Sequence, residues 1–70
     1  MHQFTIMSPI GVFTSALLDE ATMTDAVKNI REGMKTTGTG SFIFNDVNDE
    51  VVIIPLTLLK ESVVKIKEIR

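Results

Sequence analysis

A small α+β fold, with one helix laid on a mostly antiparallel sheet in the order β-β-α-β-β-β, follows from three features of this 70-residue chain. Apolar and polar residues alternate near the N-terminus and again around Phe42 and Phe44, which is the period of a half-buried strand. Between these stretches Met23, Ala26, Val27, Ile30 and Met34 recur at helical spacing. Turn-forming clusters, Ser8-Pro9-Ile10-Gly11 and residues 45–50, mark the joints. At this length residues 1–70 make a single domain.

The first strand spans His2–Ser8, where Phe4 and Ile6 alternate with Gln3, Thr5 and Met7. The proline-glycine turn then leads into a second strand over residues 12–17. Asp19 and Glu20 end this hairpin. Thr22-x-x-Asp25 reads as the start of the helix, with a threonine oxygen available to an orphan amide and a carboxylate three residues on. Asp25, Lys28, Asn29, Arg31, Glu32 and Lys35 fall on the polar side of that helix. Gly33 lies beside the apolar stripe, where it costs about 1 kcal/mol relative to alanine. Its presence predicts close packing of the helix on the sheet.

After the helix, Gly38 suits a left-handed cap, Lys35 complements the negative end of the helix dipole, and Gly40 eases the chain into the third strand. Ser41–Asn45 alternates around Ile43, residues 46–50 form a polar turn, and Val51-Val52-Ile53-Ile54 reads as a buried central strand ended by Pro55. The last stretch, LTLLKESVVKIKEIR, fits two readings. A single turn over 56–61 followed by a strand is favoured, because Val63-Val64-Lys65-Ile66-Lys67 is β-branched and alternating. The alternative is a terminal helix over 55–70, with Leu56, Leu59, Val63 and Ile66 on one face.

Composition narrows the function. A core of this size supplies only about 3–5 kcal/mol of net stability, and with no cysteine neither disulfides nor thiolate metal sites can add to it. Association with other chains is the remaining supplement. The expected architecture leaves one sheet face uncovered, towards which Val52 and Ile54 point together with Ile43 and Met7. Ile43, Val52 and Ile54 are therefore the expected contacts of a homo-oligomer. Seven Lys and Arg against nine Asp and Glu give a net charge of −2, the wrong sign for a nucleic-acid binder. The N-terminus lacks a basic region followed by a long apolar run, and no stretch approaches the roughly 18 apolar residues of a membrane span. The expectation is a cytoplasmic protein.

No catalytic residue emerges. His2 is the only histidine, no nucleophile motif surrounds Ser8, Ser15, Ser41 or Ser62, and the pairs Asp19/Glu20 and Asp49/Glu50 lie at element ends. Asp46, Asn48 and Glu50 alternate like the start of a calcium loop, but the required glycine is missing and Thr57 stands where the closing glutamate belongs. No metal and no cofactor is expected. Gly40-Ser41-Phe42-Ile43-Phe44 resembles the aromatic strand of RNA-recognition domains only in its phenylalanines, whose default role is core packing. What survives is a hydroxyl-rich loop and a basic stripe. Lys35, Thr37, Thr39 and Ser41 meeting Lys65, Lys67 and Arg70, of the same or another chain, would suit a small nucleotide-like anion at a subunit interface. Lysines on an edge strand also have a simpler role, as a solvated guard against aggregation.

The segment VVIIPLTLLKESVVKIKEIR resembles short bacteriophage proteins of uncharacterised function. That resemblance implies action by binding, either blocking a host component or sequestering a small signal, in the host cytoplasm. Two expectations follow: a non-enzymatic homo-oligomer holding an anionic ligand, or an interaction module whose apolar sheet face docks onto a host or virion protein.

Overall fold

Alternation of apolar and polar residues builds the first hairpin where the sequence places it. In the computed structural model, which describes residues 1–37 and 39–70, β1 (His2–Ser8) pairs antiparallel with β2 (Gly11–Thr14). Ser8 closes the turn at Pro9 and Ile10, its hydroxyl donating to the Gly11 carbonyl at 2.8 Å and accepting from the Ile10 N–H at 3.3 Å.

β2 stops at Thr14 rather than running to residue 17, and Ser15 is the reason. Thr5 lies opposite Thr14 while His2 bridges to Leu18, so one extra residue is taken up on the β2 side as a bulge. Ser15 is 1% exposed. Its Oγ accepts from the Phe4 N–H at 3.0 Å and donates to the Ala16 carbonyl at 2.9 Å, while its own N–H donates to the Phe4 carbonyl at 2.8 Å. A side chain thus replaces a main-chain group in the ladder, and the strand turns away. Beyond the bulge the Ala16 N–H donates to the Asn45 carbonyl at 2.9 Å and the Val47 N–H to the Thr14 carbonyl at 3.2 Å, which ties the first hairpin to the second.

The second hairpin joins β3 (Ser41–Asn45) to β4 (Val51–Pro55), with Ile43 opposite Ile53. In its turn Asp46 Oδ1 accepts from the N–H groups of Asn48 and Glu50 at 2.9 and 3.0 Å, and Asp49 takes a φ of 61°. A single helical turn, α2 (Leu56–Leu59), follows Pro55, and β5 (Val63–Glu68) pairs antiparallel with β1, placing Ile66 opposite Phe4. That pairing decides for the terminal strand and against a helix over 55–70. The sheets are ordered β2-β1-β5 and β3-β4, linked at the bulge into one bent ribbon with β4 and β5 at its two ends. The buried central strand expected at β4 is therefore an end strand.

The long helix, α1 (Glu20–Lys35), begins earlier than the Thr22 box predicts. Asp19 is the N-cap, its carboxylate accepting from the Thr22 N–H at 2.8 Å. The bridge between His2 and Leu18 fixes the chain just before it, so the helix starts as soon as the ladder ends. The bond from the Thr22 N–H, supported by the Thr22 side chain, lowers the Asp19 carboxyl from its ordinary value. At the other end the cap is Thr36, extended at φ −73° and ψ 136°, with its hydroxyl donating to the Glu32 carbonyl at 2.8 Å. The left-handed role expected of Gly38 lies outside the described residues. Lys35 does stand in the last helical turn.

Gly33 is a site of close approach, as its cost implies, but the neighbour is α2 and not the sheet. A Cβ there would meet Leu56 Cδ2 at 2.8 Å and Leu59 Cδ2 at 3.3 Å. Around this contact the core gathers Phe4 and Ile6 from β1, Met23 and Ile30 from α1, Phe44 from β3, Ile54 from β4 and Leu59 from α2. The Phe4 and Phe44 rings meet edge to face with centroids 5.0 Å apart, and Phe42 stacks on Phe44 at 5.6 Å. Both phenylalanines of β3 are thus committed to packing.

Candidate functional site

Side-chain alternation along a strand of known register determines which apolar residues face out. In the β3–β4 hairpin Phe42, Phe44, Val52 and Ile54 turn towards the core, so Ile43, Val51 and Ile53 must turn away. They are 60%, 64% and 61% exposed, and Val47 at the hairpin turn is exposed as well. The result is a patch of β-branched side chains on the outer surface of a two-stranded sheet.

This patch only partly matches the contacts expected from the sequence. Ile43 belongs to it. Val52 does not, being half-buried against the core, and Ile54 is 2% exposed within it. Grouping Ile43 with Val52 and Ile54 required a register shifted by one residue, whereas Ile43 stands directly opposite Ile53. Met7, the other residue assigned to that side, is exposed on the first sheet, distant in the strand order from the second hairpin.

The residues expected to hold an anion occupy separate places. Lys35 reaches a groove between α1 and the β5 side of the sheet. Its volume is about 610 Å³, and it is lined by the apolar Met23, Val27 and Ile66, by His2, Lys28 and Arg31, and by the carboxylates Glu20 and Glu32. Ser41 borders a different recess of about 370 Å³ beside Thr36 and Leu56. Thr37 and Thr39 are exposed in the segment between α1 and β3. Lys65 and Lys67 are exposed and alternate with Val64 and Ile66, so they face away from the groove that Ile66 lines, and Arg70 lies exposed beyond the end of β5. Among the described residues the loop hydroxyls and the lysine stripe thus lie on different surfaces of one chain.

Sequence reasoning passed over Lys28 and Arg31. With Lys35 they recur at spacings of three and four, the signature of one helix edge, but their meeting with Ile66 depends on where β5 falls. The acidic turn at residues 45–50 is engaged by its own hydrogen bonds, and Asn45 Nδ2 donates to Asp49 Oδ1 at 2.9 Å. Among the described residues no three His, Cys, Asp or Glu side chains come together in a metal-holding arrangement. No helix among them is long and apolar enough to cross a membrane.

No family model, curated protein or solved structure matches this chain.

Proposed function

We propose that this protein is a non-enzymatic binding module that assembles with further copies of itself through the β3–β4 hairpin. The observation that carries the reading is the exposure of Ile43, Val51 and Ile53 together on one face. Leaving an aliphatic side chain of this kind in water forgoes about 1.5–3 kcal/mol relative to burying it. A small core gains most from such a contact. Native mass spectrometry of the intact protein tests the reading, with the double variant Val51→Lys/Ile53→Lys as comparison. The expected result is an oligomer that reverts to monomer in the variant. A wild-type protein that stays monomeric at every concentration contradicts it, and an oligomer that survives both lysines places the contact elsewhere.

A second reading is favoured by the groove between α1 and β5. Its apolar lining and the cations Lys28, Arg31 and Lys35, which outnumber the carboxylates Glu20 and Glu32 of the same groove, suit a small anion with an apolar body, such as a mononucleotide. This moves the anion site expected at the loop and lysine stripe to the helix edge. Calorimetric titration with AMP checks it, a saturable heat lost in Arg31→Glu being the positive result.

A further inference from the structure

The edge strands of the two sheets, β2, β5, β3 and β4, differ in how they are protected. β3 is tied to the first hairpin at its Asn45 carbonyl, which the Ala16 N–H takes at 2.9 Å. β2 is four residues long, and its Thr14 carbonyl is already taken by the Val47 N–H. β5 carries Lys65 and Lys67, so antiparallel pairing with a second β5 in the registers of greatest overlap would set lysine against lysine, either Lys65 against its own copy or Lys65 against Lys67. β4, Val51–Pro55, carries no charge at all.

The groups presented by the β4 edge follow from the ladder. The Asp46 N–H donates to the Glu50 carbonyl at 2.9 Å and the Leu56 N–H to the Gly40 carbonyl at 3.0 Å, so even-numbered residues of β4 bond to β3. The N–H and C=O groups of Val51 and Ile53 consequently point away from β3, where no strand among the described residues pairs with them. Pro55 has no N–H to offer and ends the usable edge.

We infer that two copies of this chain join edge to edge through β4, antiparallel about a two-fold axis at Val52, with Val51 of each copy opposite Ile53 of the other. This rests on the proposed self-association and specifies its geometry. The register uses every outward N–H and C=O of Val51 and Ile53 in both copies. Shifting it so that Ile53 faces its own copy sets Val51 against Pro55, and the Val51 carbonyl then loses its donor. Glu50 falls opposite Ile54 of the other copy, so no like charges meet along the seam. The hairpins become a four-stranded sheet, and the outer-face residues Val51 and Ile53 pack across the join. The bare edge of β4 and its lack of charge are explained together, and the lysines of β5 keep the other end of the ribbon from doing the same.

Ile53→Pro tests the geometry, because it removes an edge N–H without touching the bonds between β3 and β4. Sedimentation equilibrium should show dimer affinity weakened about thirtyfold, the loss of one hydrogen bond per copy at about 1 kcal/mol each. Ile10→Lys, in the exposed turn of the first hairpin and remote from the seam, should leave affinity within a few-fold of wild type. A folded Ile53→Pro protein that associates as tightly as wild type overturns the edge geometry while leaving self-association standing. If that variant fails to fold, an isotope-filtered NOE between the Val52 Hα protons of two differently labelled wild-type copies decides. Its presence supports the register, and its absence from a proven oligomer refutes it. A monomeric wild-type protein removes the self-association reading itself.

Discussion

Replacing Ser15 by alanine should destabilise the fold well beyond what a lost surface hydroxyl would cost. Ser15 is 1% exposed, and its Oγ is the partner of the Phe4 N–H at 3.0 Å. Alanine leaves that amide inside the core, next to one of its largest side chains, with no acceptor. The Ala16 carbonyl loses its donor at 2.9 Å at the same time. Removing one partner so that a buried group is left unsatisfied costs about 1–3 kcal/mol, and we take about 2 kcal/mol for this site. For a domain of this size that lowers Tm by about 8–16 °C. Urea unfolding of wild type and Ser15→Ala, at equal protomer concentration because association shifts apparent stability, measures the difference. Hydrogen exchange at the Phe4 amide should accelerate beyond the change in global stability. A loss below about 0.5 kcal/mol with Phe4 still protected would refute the reasoning. It would mean that the ladder closes over the bulge with a main-chain acceptor instead.

Two further substitutions probe the rest of the fold. Gly33→Val places branched carbons where a Cβ already lies 2.8 Å from Leu56 and 3.3 Å from the fully buried Leu59, so thermal unfolding should show a loss of about 2–3 kcal/mol. An unchanged Tm would show that α2 moves aside freely. Asp19→Asn keeps a cap but removes the charge. Because hydrogen bonds from Thr22 depress the folded carboxyl, the charged cap stabilises above the unfolded value of about 4 and its contribution fades as pH falls through the folded one. Wild type should therefore lose more stability than Asp19→Asn between neutral pH and about pH 3, and parallel pH profiles would contradict the assignment.

β1 and β3 were legible because their alternation is uninterrupted, and β5 because β-branched residues alternate with lysines. The helix start was misplaced by three residues because Thr22 and Asp25 form a plausible box. Asp19 wins through its bond to Thr22 and through the His2–Leu18 bridge that positions it, and that bridge joins residues far apart in sequence. The bulge at Ser15 was hidden for a similar reason: only after β1 and β2 pair does the hydroxyl find the Phe4 amide. Because the bulge breaks one expected sheet into two, β4 became an end strand with a free edge. The outer patch was half legible. Alternation showed that Val51 and Ile53 share a face, but the register that adds Ile43 to them is set by the turn from Asp46 to Glu50. Lys35, Ser41 and Lys65 were grouped by their chemistry, whereas the fold distributes them over three surfaces.

Assembly through β4 requires that its outward amides be covered in solution. Hydrogen exchange at Val51 and Ile53, measured on the unmodified protein at two concentrations about a hundredfold apart, reports this at the two residues concerned. These amides should exchange freely in dilute solution and become protected as concentration rises, while the Val52 and Ile54 amides, bonded to β3, stay protected throughout. Free exchange at Val51 and Ile53 at both concentrations would show that the edge stays open to water and would contradict assembly through β4.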